Sequence, residues 1–315
     1  MRTLLTRAVR ALAVIALLGM LTMALPLLLT GDPAVAVLGV EATPEQLAAF
    51  TAALNLDASP PERFAHWLGG AVRGDLGTSL VTGAPVTAEI GERLPVTLEL
   101  LLCGQLLALA ITVPVAMRSA WRPGGVVDRI STVLAYLLLS TPAFVLGLAL
   151  ILVLAVGLAV LPATGWAAPD DPVEHLRHLV LPVLTMGLTE AAVLVRVLRA
   201  DLIATLRTPY ILAARSRGLS PWRLLWTRAL RPSSFSTVTL VGLGLGLAFG
   251  GSVLVETIFA VPGMGRLAAS AIEARDFPVI EAVVLLSGVT VVLVGTLVDL
   301  VYGVIDPRAR HAAAH

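Results

Sequence analysis

Lysine is absent from this 315-residue chain; all 22 basic side chains are arginine. A P-loop uses a lysine to reach the β- and γ-phosphates of a bound nucleotide, so no standard motif of that kind can form here. Schiff-base chemistry on a lysine amine is excluded as well. Cysteine occurs once, at Cys103, which rules out an internal disulfide and a cysteine-rich zinc site. Its apolar surroundings mark it as a packing residue. Charge is scarce: 14% of residues are charged, against about 25% in soluble domains. With a net charge of +1, no bulk electrostatic attraction to nucleic acid is expected. No Ser/His/Asp set and no HExxH spacing is present, so neither a catalytic site nor a metal site is expected. Gly242-x-Gly244-x-Gly246 lacks the surrounding βα unit that a dinucleotide fingerprint needs.

What fills the chain is apolar. Hydrophobic residues make up 57% of it, and the mean hydropathy is +0.91. Six segments are long enough to cross a ~30 Å hydrocarbon core, which takes about 20 residues each. They run roughly 11–29, 94–117, 130–161, 179–198, 235–258 and 279–305. The expectation is an all-α, polytopic membrane protein with a single six-span domain over 11–305. Arg2, Arg7 and Arg10 before the first span, and Ala34-Val35-Ala36 after it, resemble a signal peptide. The apolar run Ala11–Leu29 is longer than the usual ~7–15-residue signal core, so a retained helix is expected. Placing residues 1–10 in the cytosol puts sixteen of the 22 arginines on inner segments and leaves Arg63, Arg73, Arg93, Arg177, Arg266 and Arg275 outside. That arginine bias sets orientation. Both termini, including the tail 306–315, then face the cytosol of a bacterial inner membrane. The outer loop 30–93 carries two helix signals. One is Thr43-Pro44-Glu45, with a cap, a first-turn proline and an acid. The other is an amphipathic piece, Pro61–Val72, expected on the outer membrane interface.

The inner loop of about 199–234 is the most informative stretch. From Arg196 to Arg231 there are eight arginines and one acid, Asp201. Thr208 suits an N-cap, Pro209 a first helical position and Gly218 a left-handed stop. Ser220 and Pro221 repeat the start signal for a second helix running to about Arg231, on which Trp222, Leu225, Trp226 and Ala229 form one apolar stripe. The first helix is too short to be stable alone and needs a surface to pack on. Two capped helices are more than a topology marker requires, and a docking surface is expected.

Elsewhere, Gly242, Gly246 and Gly250 recur every fourth residue and suggest a close helix–helix contact, with a substrate passage as the alternative. Among carboxylates in the spans, Glu99, Glu256 and Glu281 fall near outer ends and Asp299 near the inner end, within reach of water. Glu190 is deepest; pairing with an arginine such as Arg196 is the expectation. His175 and His178 are read as part of a solvated outer loop.

Ala213-Ala214-Arg215-Ser216-Arg217-Gly218-Leu219 resembles the A-A-x-x-x-G loop of bacterial ABC importer permeases. Gly31-Asp32-Pro33, Arg73-Gly74-Asp75-Leu76-Gly77-Thr78-Ser79, Arg93-Leu94-Pro95-Val96-Thr97, Ser140-Thr141-Pro142-Ala143-Phe144, Val255-Glu256-Thr257-Ile258-Phe259, Pro262-Gly263-Met264-Gly265-Arg266-Leu267 and Asp306-Pro307-Arg308 follow in the order seen in the dipeptide/oligopeptide/nickel permeases. Three departures stand out: Leu212 where the broader loop has Glu, Trp222 and Trp226, which make the following helix unusually aromatic, and Pro232 where the subfamily commonly has Asn. The resemblance implies a type I ABC importer permease fold forming half of a translocation path. Tyr210, Ala213, Ala214, Arg215, Arg217, Gly218 and Leu219 would then be the ATPase-docking residues. It further implies a second homologous permease, two ATPase subunits that carry ATP and Mg, and an extracytoplasmic solute-binding protein, all in a lipid membrane. This chain would hold no cofactor of its own. An ion-coupled secondary transporter or channel, working through Glu190 or Asp299, is the alternative. Peptides, nickel chelates and glutathione fit the sequence equally well as solutes.

Overall fold

A computed structural model describes residues 2–24, 33–39 and 41–305. Gly31 and Asp32, and the tail 306–315, lie outside the described residues. Among those described, secondary structure is helical apart from one isolated antiparallel bridge between Thr78 and Pro85. The helices are α1 (Arg2–Met23), α2 (Pro33–Leu38), α3 (Pro44–Ala53), α4 (Pro60–Ala71), α5 (Val86–Trp121), α6 (Val126–Ser140), α7 (Ala143–Leu150), α8 (Pro172–Leu206), α9 (Pro209–Ser216), α10 (Pro221–Leu224), α11 (Leu230–Ser233), α12 (Phe235–Ile258), α13 (Met264–Ala274) and α14 (Phe277–Ile305).

Four of these, α5, α8, α12 and α14, are long and apolar enough to cross a membrane, and α6 with α7 makes a fifth, broken span. The sequence reads 130–161 as one run. Instead the two halves meet at 107°. Pro142 is the cause: its ring disfavours helical backbone at the residue before it, and Thr141 is extended at φ −100°, ψ 118°. Beyond Leu150 the helix widens into π-type turns over Ile151–Gly157. The described apolar part of α1, Leu12–Met23, is too short at 1.5 Å per residue to cross alone. The rest of that first span falls outside the described residues.

Two compact units divide the chain, 1–95 with 266–292 and 96–265 with 293–315. In the first, Thr43 closes a capping box on α3: its hydroxyl accepts from Gln46 N–H while its own N–H donates to Gln46 Oε1 at 2.9 Å. Ser59 and Glu62 start α4, and hydrogen bonds from the Ser59 N–H and hydroxyl hold the Glu62 carboxyl below its ordinary pKa. The amphipathic piece expected on the outer membrane interface packs on α1. The Phe64 ring occupies the space a Cβ at Gly19 would need. On its inner face α4 buries Arg63, only 5% exposed. Arg63 donates to the Met23 carbonyl and, at 3.0 Å, to Glu281 Oε1. Burial pulls the Arg63 guanidinium below its ordinary pKa, and the Glu281 charge opposes that shift. Glu281, expected near water, is thus a buried partner. The Ser79 hydroxyl and the Leu80 N–H both donate to the buried Asp276 carboxylate, which fixes the outer loop to the start of α14.

In the second unit α8 packs against α6, α7 and α12. It starts at Asp171, whose side chain accepts from Glu174 N–H, so His175 lies in a helix and is buried. This corrects its reading as part of a solvated loop. Its Nε2 is 2.8 Å from Glu99 Oε1, its Nδ1 is 2.8 Å from the Ala167 carbonyl, and Trp166 meets the ring edge-on at 4.9 Å. At the other end of α8, Arg199 grips the Asp128 carboxylate with two nitrogens, and Gly124 N–H donates to the same carboxylate at 2.7 Å.

Candidate functional site

The inner loop folds as two short helical pieces seated on the ends of α5 and α8. Ile211 and Ala214 of α9 point inward, 2% and 9% exposed, into a cluster with Ala116, Met117 and Ala120 of α5 and Leu198 and Leu202 of α8. A spacing of three residues puts those two on one face of a helix. Tyr210, Leu212, Ala213 and Arg215 of α9, and Arg217 just after it, are all exposed, with Leu219 half-buried beyond. The tandem alanines therefore divide: Ala213 faces outward, while Ala214 lets α9 approach its own supporting helices. Thr208 and Ser220 have the extended backbone of N-caps, but neither side chain makes the capping bond; Thr208 donates back to Thr205 O. Gly218 ends α9 at φ +82°, in the left-handed region open to glycine. Arg215 lies over the Trp121 ring at 5.3 Å, beside a cavity of about 470 Å³ rimmed by Arg122 and Arg207.

The second piece departs from the expected regular helix. After α10 it opens into a π-type turn over Leu225–Ala229 and then runs as α11 through Pro232. Proline in an α-helix removes one N–H and crowds the carbonyl four residues earlier. That carbonyl is Arg228, and the wide turn, a device tied to such interruptions, relieves it. The Tyr210 hydroxyl donates to Arg228 O at a long 3.4 Å. The altered winding also moves the apolar face. Leu224, Leu225 and Ala229 are buried, while Trp222 and Trp226 are exposed and meet edge-on at 5.7 Å.

Inside the spans, Gly242 of α12 lies against Val298 of α14 so closely that a Cβ there would overlap the valine. Gly246 is buried too. Gly250 faces open space, with nothing within 4 Å of an added Cβ. Glu256, expected near water, is fully buried. The Thr97 hydroxyl donates to its Oε1 at 2.8 Å and accepts from Met264 N–H at 2.8 Å. Its carboxylate presses on Gly263, whose hydrogen is all the space allows. Glu190 lacks the expected arginine. Arg196 lies over the Tyr136 ring at 4.7 Å, Arg199 is held by Asp128, and among the described residues no ion pair reaches Glu190. Its carboxylate rests on Gly244 of α12. The sequence reading missed Gly244 because the fourfold glycine spacing drew attention to its neighbours. No group of three potential metal ligands occurs among the described residues.

Long apolar helices bearing a short arginine-flanked helix at one end mark a multi-pass membrane protein. The family model described as binding-protein-dependent transport system inner membrane component matches residues 112–311, and its N-terminal companion matches residues 1–101. The chain belongs to this family and is a multi-pass permease subunit of an ABC importer. It is similar to a probable peptide ABC transporter permease protein of Sinorhizobium fredii, 35% identical over 98% of this chain and 99% of that one. The putative peptide transport system permease protein of Brucella abortus is 36% identical, covering 98% of each chain. The dipeptide transport system permease protein DppB of Escherichia coli is 33% identical over 93% of this chain and 94% of its own. A solved structure described as inward-facing conformations of the MetNI methionine ABC transporter matches 69% of this chain and 96% of its own, at a TM-score of 0.55 and 17% identity. That likeness concerns the all-α fold alone. Family membership sets aside the ion-coupled alternative.

Proposed function

We propose that this permease imports peptides, and that α9 is the coupling helix on which an ATPase subunit docks. Two observations support the reading. The peptide-transport relatives align with the chain almost end to end. On α9, the exposed face of Tyr210, Leu212, Ala213 and Arg217 stands on a firmly packed base of Ile211 and Ala214. The outward face is the docking surface and Gly218 ends it. Arg215 and Leu219 flank that surface, and Ala214 serves by seating the helix.

The expected assembly is this chain with a second homologous permease, two ATPase subunits and an extracytoplasmic solute-binding protein. Hydrolysis of ATP belongs to the ATPase chains, which hold ATP and Mg. The arginine bias supports a cytosolic side for α9 and both termini. Closure of the ATPase pair then moves α9, and the spans exchange access between the two sides. A bound nucleotide shifts that exchange only by its difference in affinity for the two states. The test is reconstitution. The four membrane and ATPase subunits in proteoliposomes, supplied with the binding protein and a labelled dipeptide, should accumulate peptide only with ATP. Uptake that persists without ATP, or a purified complex lacking any ATPase, sinks the reading.

A further inference from the structure

Glu190 lies near the middle of the 35-residue α8, about 25 Å of helix from either end at 1.5 Å per residue. It is half-buried. The two arginines that follow it on α8 are committed elsewhere, Arg196 to Tyr136 and Arg199 to Asp128. No hydrogen-bond donor among the described residues reaches its carboxylate. Against it stands the bare backbone of Gly244: a Cβ there would lie 2.6 Å from Oε1 and 3.2 Å from Oε2. The carboxylate thus has a seat on α12 that only glycine provides, and no counter-charge. Three other carboxylates of this unit do have partners: Asp128 in Arg199, Glu99 in His175 and Glu256 in Thr97.

An ionised group in mid-membrane faces a water-filled path or the protein interior rather than lipid, and usually marks that path. A carboxylate takes a positive partner that offers N–H donors, and charge-assisted bonds of this kind are strong and short. We propose that Glu190, seated on Gly244, lines the translocation path and binds the ammonium group of the passing solute. This rests on the peptide reading above: the free N-terminal ammonium is common to peptides of every sequence, so one carboxylate serves them all.

The full complex with its binding protein tests this in two arms. In the first, Glu190→Cys in a Cys103→Ala background is treated with a membrane-impermeant cationic thiol reagent. Labelling supports the aqueous path, and labelling by an apolar maleimide alone overturns it. In the second, uptake of alanyl-alanine is compared with that of its N-acetyl form. Glu190→Gln should lower uptake of the free dipeptide by roughly tenfold to a hundredfold, in line with loss of a hydrogen bond to a charged group, and leave the acetylated form unchanged. Gly244→Ala, which displaces the carboxylate and keeps its charge, should give the same selective loss. It also serves if Glu190→Gln fails to assemble. Free-dipeptide uptake within twofold of wild type in the assembled variants overturns the ammonium assignment. A wild-type complex that imports neither form sinks the peptide reading and the ammonium assignment with it. The labelling arm still decides whether Glu190 faces the path.

Discussion

Adjacent alanines on α9 should respond in opposite ways to the same substitution. Ala214 is 9% exposed and packs on Ala116, Met117, Ala120, Leu198 and Leu202. Ala213 is exposed. A tryptophan at Ala214 has to enter a filled cluster, and such overpacking costs typically about 1–3 kcal/mol. A tryptophan at Ala213 meets solvent in the isolated permease, where surface substitutions fall within about 0.5 kcal/mol. In the proposed assembly the same side chain would stand between α9 and the ATPase. A tenfold loss of association, about 1.4 kcal/mol, is the least such an obstruction should cause. The assay has two readouts. Thermal stability of the purified permease pair in detergent reports on the chain's own packing. ATPase co-purification and ATP-driven uptake report on docking. Ala214→Trp should lower the first. Ala213→Trp should leave the first unchanged and abolish the second. Equal losses of stability in both variants would refute the orientation of α9, and full uptake by Ala213→Trp would refute its role as the docking face.

Arg63→Met and Glu281→Met should each destabilise the permease by about 3–5 kcal/mol, because each leaves a buried charge unpaired. The double variant should cost less than the sum of the two, which a double-mutant cycle in thermal stability will read. Thr97→Val removes the hydroxyl that bridges Glu256 and Met264 N–H, at about 1–3 kcal/mol per buried polar group left without that partner, and Thr97→Ser should restore stability. Gly242→Leu collides with Val298 and should prevent stable folding. Gly250→Leu should leave the chain's own stability intact, so any loss of permease–permease association on gel filtration assigns Gly250 to the contact between subunits.

Local chemistry was readable where a short stretch of sequence decides the structure. Thr43-Pro44-Glu45-Gln46 carries its own cap, and Gly218 its own left-handed stop. The span positions followed from length and hydropathy, although α5 and α8 extend well beyond the apolar runs at 94–117 and 179–198, because helix propagation continues past the hydrocarbon wherever caps permit. The bend between α6 and α7 had a visible signal in Thr141-Pro142, but apolar length alone concealed it. Arg63 and Glu281 are separated by 218 residues, and no periodicity links them. On sequence position each lay near the water surface. Glu256 was misjudged for the same reason: its partners come from α5 and from the turn before α13. The winding of 221–233 escaped because a helical wheel assumes a uniform 3.6-residue turn, and a π-type turn before Pro232 shifts every later side chain around the axis.

That wide turn has a mechanical consequence. The carbonyl released by Pro232 is the one the Tyr210 hydroxyl approaches, so the first turn of α9 touches the segment that leads directly into α12. Its underside is wedged against α5 and α8. A displacement of α9 would therefore be passed to two spans through apolar contact and to a third through the peptide chain. On the proposed coupling role, a stroke of this one short helix would tilt three long ones together, and softening the turn, for instance by Pro232→Ala, would detune the third from the other two.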